Sequence, residues 1–161
     1  IFRTNDLERL TVDNDGRITT PYQPAFMATV NGDYSQANDA PVTLSNVFYN
    51  IGGHYNSANS TFTVPVAGRY VFLGNVRFNT NLEYLYSEPY VNGTRAYTIW
   101  NSKGLVGLGT GNGGSAGFTA SAFCVILNLS ANDAVRLGCG FSGTGSQTIN
   151  AQSYWCMYLL G

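Results

Sequence analysis

Apolar and polar positions alternate with a period of two along most of this chain, and clusters of Gly, Pro, Asn and Asp interrupt the alternation at short intervals. That pattern belongs to half-buried strands separated by turns. It predicts strands over 25–30, 47–49, 61–64, 69–78, 82–91, 95–100, 118–129, 134–141 and 153–160. No apolar stripe of helical period persists, so the expected fold class is all-β, a sandwich of two antiparallel sheets. Asn92-Gly93 between two tyrosine-rich runs is the strongest hairpin signal, because a type I′ turn needs positive φ at both central residues.

The strands differ in how they alternate. In 134–141, Val135, Leu137, Cys139 and Phe141 fall on one side, with Ala134, Arg136 and Gly138 on the other. In 69–78, Tyr70, Phe72, Val76 and Phe78 share a face, yet Val71 and Leu73 make the opposite face apolar too. Likewise Phe123, Val125 and Leu127 interleave with Ala122, Cys124 and Ile126, and Trp155, Met157 and Leu159 with Tyr154, Tyr158 and Leu160. A two-layer sandwich covers only one face of each sheet, so strands apolar on both faces call for another chain. The candidate subunit interface is Val71, Leu73, Phe123, Val125, Leu127 and Trp155. At about 1.5 to 3 kcal/mol for each buried side chain, the gross gain is on the order of 10 kcal/mol per subunit.

Composition narrows the function classes. With 161 residues and 44% hydrophobic positions the chain suits one domain with a sizeable core. The net charge of -1 and the single lysine, Lys103, leave no basic footprint for nucleic acid. Apolar runs are too short to span a bilayer as a helix, so no membrane insertion is expected. The chain opens at Ile1 rather than Met, which reads as a fragment or a processed product. Cys124, Cys139 and Cys156 stand far apart with no CxxC pair, so a zinc site is not expected; buried free thiols are expected, with one disulfide of unassigned partners as the alternative.

Seven charges fall in residues 1–17, where residues 9–18 read as strand, Asp-Asn-Asp-Gly turn and strand. Pro21 and Pro24 close this segment. Residues 1–21 are therefore expected to be a neck and 22–161 a globular head.

One stretch carries a family signature. Asn50-x4-Tyr55-Asn56-x5-Phe62-Thr-Val-Pro-Val-Ala-Gly68-Arg-Tyr70-Val-Phe72 resembles the signature of the C1q globular domain, a jelly roll shared with the tumour necrosis factor family. Its spacing places Phe62 in the core, ends a strand at Pro65, turns at Gly68 and points Tyr70 and Phe72 inward. Leu44 stands where an aromatic opens the pattern, Gly74 where one usually closes it, and Met157 where the family prefers glycine. The resemblance covers residues 22–161 and implies a homotrimer with one sheet toward the three-fold axis. The opening Glu8-Arg9-Leu-x-Val12-Asp13-x-x-Gly16-x-Ile18 and Pro21-Tyr22-Gln23-Pro24-Ala25-Phe26 is similar to strand-turn-strand repeats that precede the tips of bacteriophage tail fibres.

Candidate chemistry is sparse. Gly109-Thr-Gly111-Asn-Gly-Gly114 is a formal GxGxxG, but residues 118–126 read as strand, whereas a dinucleotide site needs a helix there. His54 is the only histidine and sits in a turn, so no catalytic triad has a base unless it supplies one. Glu83 and Glu88 have no glycosidase spacing and are expected to be solvated acids. Some relatives bind calcium near the trimer axis; here Asp33, Asp39, Glu83, Glu88 and Asp133 are scattered, and no cofactor or metal is expected.

The expectation is a non-enzymatic, trimeric receptor-binding head of a viral tail fibre, acting at the virion tip on a host cell-surface glycan or outer-membrane protein. The alternative is a secreted C1q-like lectin or signalling domain of cellular origin. Loops 31–38, 79–90 and 101–115 are expected to carry specificity, with Tyr86, Tyr97, Trp100, Lys103, Gly109 and Asn112 as candidate contacts. Rings beside glycine-rich loops supply contact area at low entropic cost.

Overall fold

Sixteen strands and no helix form among the residues that the computed structural model describes, 1–80, 82–96 and 117–160. The first three are β1 (Phe2–Thr4), β2 (Leu7–Val12) and β3 (Ile18–Thr19), a small antiparallel sheet in that order. The expected turn is present: Asp13 Oδ1 accepts from the amides of Asp15 at 2.9 Å and Arg17 at 3.0 Å, and Gly16 takes a φ of 80°.

The remaining strands, in chain order, are β4 (Ala25–Thr29), β5 (Tyr34–Ala37), β6 (Ala40–Pro41), β7 (Asn46–Ile51), β8 (Tyr55–Asn56), β9 (Thr61–Thr63), β10 (Gly68–Phe78), β11 (Leu85–Val91), β12 (Thr94–Arg95), β13 (Thr119–Leu129), β14 (Ala134–Phe141), β15 (Ser146–Ile149) and β16 (Tyr154–Leu159). One sheet runs β5-β15-β10-β16-β4-β7, with β13 along the other edge of β10. The second runs β12-β11-β14-β9-β8, with β6 beside β14. The pairings are antiparallel throughout.

Several expectations shift. Residues 34–37 of the expected loop 31–38 form β5, and the second half of the expected loop 79–90 is β11. Of the expected strand 95–100, Arg95 lies in β12, while 97–100 lie outside the described residues. Short strands such as β5 and β15 carry little intrinsic β signal; they exist because β15 pairs with β5 and touches β10 at Phe78.

The core lies between the sheets. Phe26 stacks on Tyr55 at 4.2 Å and meets the Trp155 ring edge-on at 4.7 Å. Phe62, Tyr70, Phe72, Leu137 and Phe141 have no exposed surface. The signature thus does the packing its spacing implied, except that the bend lies at 65–67 and Gly68 already begins β10. The three departures from the family pattern also have a physical account. Leu44 is fully buried, with its carbonyl accepting the Tyr55 hydroxyl at 2.6 Å. A Cβ on Gly74 would sit 2.3 Å from the Tyr154 carbonyl oxygen and 2.7 Å from the Phe123 ring, so neighbouring groups fill the space an aromatic would take. Met157 is likewise buried in the core.

Asn92 (φ 52°) and Gly93 (φ 78°) make the expected hairpin between β11 and β12. The Asn92 side chain also clasps the next turn, donating from Nδ2 to Asp133 Oδ1 at 2.8 Å and accepting from the Ala134 amide at 2.9 Å.

Candidate functional site

Because side chains alternate across a strand, fixing which residues face the core also fixes which face outward. Phe123, Val125, Leu127 and Trp155, expected at a subunit interface, point inward and belong to the chain's own core; Trp155 is fully buried. Of the six candidates, Val71 and Leu73 alone lie on the outer face, since they alternate with the inward Tyr70 and Phe72 on β10. On β13 and β16 the outward residues are those of the opposite phase.

Register lines these outward residues into two rows crossing five strands. One runs Ile51, Ala25, Tyr158, Val71, Ile126; the next runs Tyr49, Met27, Cys156, Leu73, Cys124. Ile126 is 54% exposed, Tyr49 43% and Tyr158 40%. A row that is polar except for Ala122 at its end, Asn46, Thr29, Tyr154, Asn75 and Ala122, bounds the band on one side, and Arg69 paired with Asn128 bounds it on the other. At the Ile51 end the band opens into a shallow groove of about 390 Å³ lined by Thr20, Gln23, Ala25, Ile51, Tyr158, Leu159 and Leu160.

The expectation of buried thiols holds only for Cys139; Cys124 is exposed and Cys156 half-buried, and all three are free. Burial raises the pKa of Cys139 strongly and lifts that of Cys156 to about 11.

The outer face of the second sheet is built differently. Tyr84, Tyr86, Glu88 and Tyr90 project outward from β11 and the residue before it, because Leu85, Ser87 and Pro89 face in. Opposite them on β14 stand Gly140, Gly138 and Arg136. A Cβ on Gly138 would lie 2.0 Å from the Tyr90 ring, and one on Gly140 2.2 Å from the Tyr86 ring. The two glycines therefore let both rings lie down on the sheet. Tyr84 stacks beside Tyr86 with planes 10° apart and is 46% exposed.

Arg95 on β12 ties this floor together. Its Nη2 lies 2.6 Å from Asp39 Oδ1, its Nε 3.0 Å from Glu88 Oε1, and Nε also donates to the Tyr90 hydroxyl at 2.9 Å. Nη1 reaches the Tyr86 hydroxyl at 3.4 Å, and that hydroxyl donates to Asp39 Oδ1. The Tyr86 hydroxyl, followed by Arg95, holds the Asp39 carboxyl below its usual range despite some burial. Burial raises Glu88, which is only 5% exposed and so is not the solvated acid expected. Burial, then the neighbouring Asp39, raises Tyr86.

Among the candidate contacts read from the sequence, Tyr86 alone is placed in this cluster; Tyr97, Trp100, Lys103, Gly109 and Asn112, with loop 101–115, lie outside the described residues. The roles of Asp39, Tyr84, Tyr90 and Arg95 were not anticipated. The Tyr-x-Tyr-x-Glu-x-Tyr period and the Gly-x-Gly facing it were the available signal. His54 sits half-buried beside Phe62, edge-on at 6.3 Å. Among the described residues no three His, Cys, Asp or Glu side chains are grouped to hold a metal, and no helix is long and apolar enough to cross a membrane.

The C1q domain model matches residues 25–160. The chain belongs to the C1q domain family. The globular domain of zebrafish complement 1qA superposes with a TM-score of 0.61 at 13% identity, over 86% of this chain and 98% of that one. Murine APRIL superposes with a TM-score of 0.56 at 12% identity, over 86% and 99%. No curated protein matches the sequence significantly. At these identities the likeness to both structures is one of fold. C1q domains are typically trimeric, non-enzymatic binding domains. In this one, the family match begins after the small sheet of β1, β2 and β3.

Proposed function

We propose that this C1q domain is the homotrimeric receptor-binding head of a viral tail fibre, attaching the virion to a host cell-surface glycan or protein. The observation that carries the trimer is the two-row apolar band on β13, β10, β16, β4 and β7, which the chain's own second sheet cannot cover. Three copies packed through that face hide it and turn the second sheet outward, where Tyr84, Tyr86 and Asp39 meet the surroundings. The fibre assignment is supported by the strand-turn-strand neck ahead of the head, the segment similar to fibre-shaft repeats.

A secreted C1q-like lectin or signalling domain of cellular origin is the second reading, favoured by the likeness to the zebrafish complement domain. Sedimentation velocity at micromolar concentration tests the assembly: a trimer mass is expected, and a stable monomer overturns the proposal. The gene around residue 1 tests the setting. Shaft repeats beside virion structural genes are the expected result; a collagen-like or export segment upstream moves the protein to the second reading.

A further inference from the structure

We infer that the outer face of the second sheet is a binding site for an uncharged pyranose of a glycan, resting on the ring of Tyr84 beside Tyr86 and hydrogen-bonded by Asp39. This rests on the reading of the protein as a binding head and names the ligand class and place.

The floor is constructed in advance of any ligand. Gly138 and Gly140 leave room for the Tyr90 and Tyr86 rings to lie flat, and Arg95 fixes their hydroxyls, so these two side chains, against which Tyr84 stacks through Tyr86, lose little entropy on binding. Beneath them Glu88 is buried against Arg95. A buried ion pair is a weak stability device, since apolar residues of similar volume do as well or better. Its presence on the solvent side of a sheet is better explained by holding the tyrosines and Asp39 in one arrangement.

Charge and hydrogen-bond capacity select the ligand. Two carboxylates, Asp39 and Glu88, stand against two guanidiniums, Arg95 and Arg136, so this face carries no excess charge of either sign, and the Arg95 guanidinium is engaged by Asp39, Glu88, Tyr86 and Tyr90. Arg95 therefore has no free fork for a carboxylate or phosphate. Nor is the cluster open to an added cation at its centre, where Arg95 already lies 5.9 Å and 5.8 Å from the Tyr86 and Tyr90 ring centres. What remains outward is an aromatic surface at Tyr84 and an acceptor at Asp39, whose side chain is 51% exposed and whose Oδ2 has no partner among the described residues. A pyranose supplies the matching pair: an apolar C–H face to lie on a ring and hydroxyl donors for a carboxylate oxygen.

The test is binding of the full chain to immobilised neutral gluco-, galacto- and manno-oligosaccharides, with sialylated, phosphorylated and amino sugars alongside. Tyr84→Ala removes the platform from an exposed position. Asp39→Asn keeps the shape and the left-handed backbone (φ 54°), which asparagine tolerates. Matching circular dichroism melts and sedimentation show that both variants still fold and assemble. The expected result is binding to a neutral oligosaccharide that each variant weakens about tenfold. Undiminished binding by both variants overturns the location while leaving a glycan-binding head. Retention of only the charged sugars overturns the ligand class. A trimer that ignores every neutral sugar yet adheres to cells through a protease-sensitive, periodate-resistant receptor overturns the inference and leaves the proposed function standing. A monomer with no adhesion of any kind sinks that function itself.

Discussion

On the face of β13, β10, β16, β4 and β7 that points away from the core, two adjacent register rows carry apolar or weakly polar groups from edge to edge. On the matching face of β11 and β14, from Tyr86 to Tyr90 and from Arg136 to Gly140, the outward residues are tyrosines, ions and glycines. Both sheets contribute the same kind of inward residue to one shared core. Their difference is therefore confined to the surface, where packing within the chain imposes nothing: under the proposed function, one face meets further copies of the chain and the other a polar ligand.

The largest perturbation strikes the layer that both faces share. Gly74→Ala places a Cβ against a backbone carbonyl that cannot yield, and is expected to cost about 3 kcal/mol, a drop in Tm of about 10 °C by calorimetry. A drop under about 2 °C, by the same scale, means that the strands re-space easily and that the two faces are not rigidly coupled. Ile126→Asp breaks the apolar side alone. An unpaired carboxylate in a buried contact should weaken assembly about a hundredfold or more in sedimentation, while the secondary structure persists. An unchanged trimer would show that copies meet elsewhere.

A smaller effect sharpens the polar side. Burial lifts Glu88 above 4.5, so its contribution to stability is full below pH 4.5 and is lost as pH rises through the folded value. Asp39, held below 3.8, behaves oppositely: its contribution is present above pH 3.8 and is lost as pH falls through the folded value. Glu88→Gln removes only the first dependence. Relative to the parent, its Tm should climb by about 2 °C as pH rises past 4.5, with the acid-side loss retained. Parallel Tm curves would show that Glu88 is not buried in solution. The smallest change is chemical: at neutral pH iodoacetamide should leave Cys139 untouched and alkylate Cys124 in dilute, dissociated protein but not in the assembled form. Equal labelling of Cys124 in both would leave that face uncovered.

Much of this was legible in the alternation. The clean period-two pattern of 134–141 gave the inward set Val135, Leu137, Cys139 and Phe141, all without exposed surface. The doubly apolar strands correctly signalled a sheet with two apolar faces, but pattern alone does not say which phase is inside. Phe123 and Trp155 are large, and the core claimed them, leaving Ile126 and Tyr158 outside. The polar cluster was harder to foresee. Asp39 and Arg95 reach it from separate turns and strands, and only the pairing of β14 with β6 and β11, and of β11 with β12, brings them together. Glu88 looked like any strand acid until two tyrosine rings and Arg95 enclosed it.

The clasp between the β11–β12 hairpin and the turn at Asp133 has a practical consequence. Asn92-Gly93-Thr94 is an acceptor sequence for N-linked sugar, and that sugar attaches through the amide nitrogen which Asp133 holds in the folded head. In a eukaryotic secretory host, modification at this position must therefore outrun closure of the hairpin, and once made it deprives Asp133 of its partner. Bacterial production keeps the turn as described.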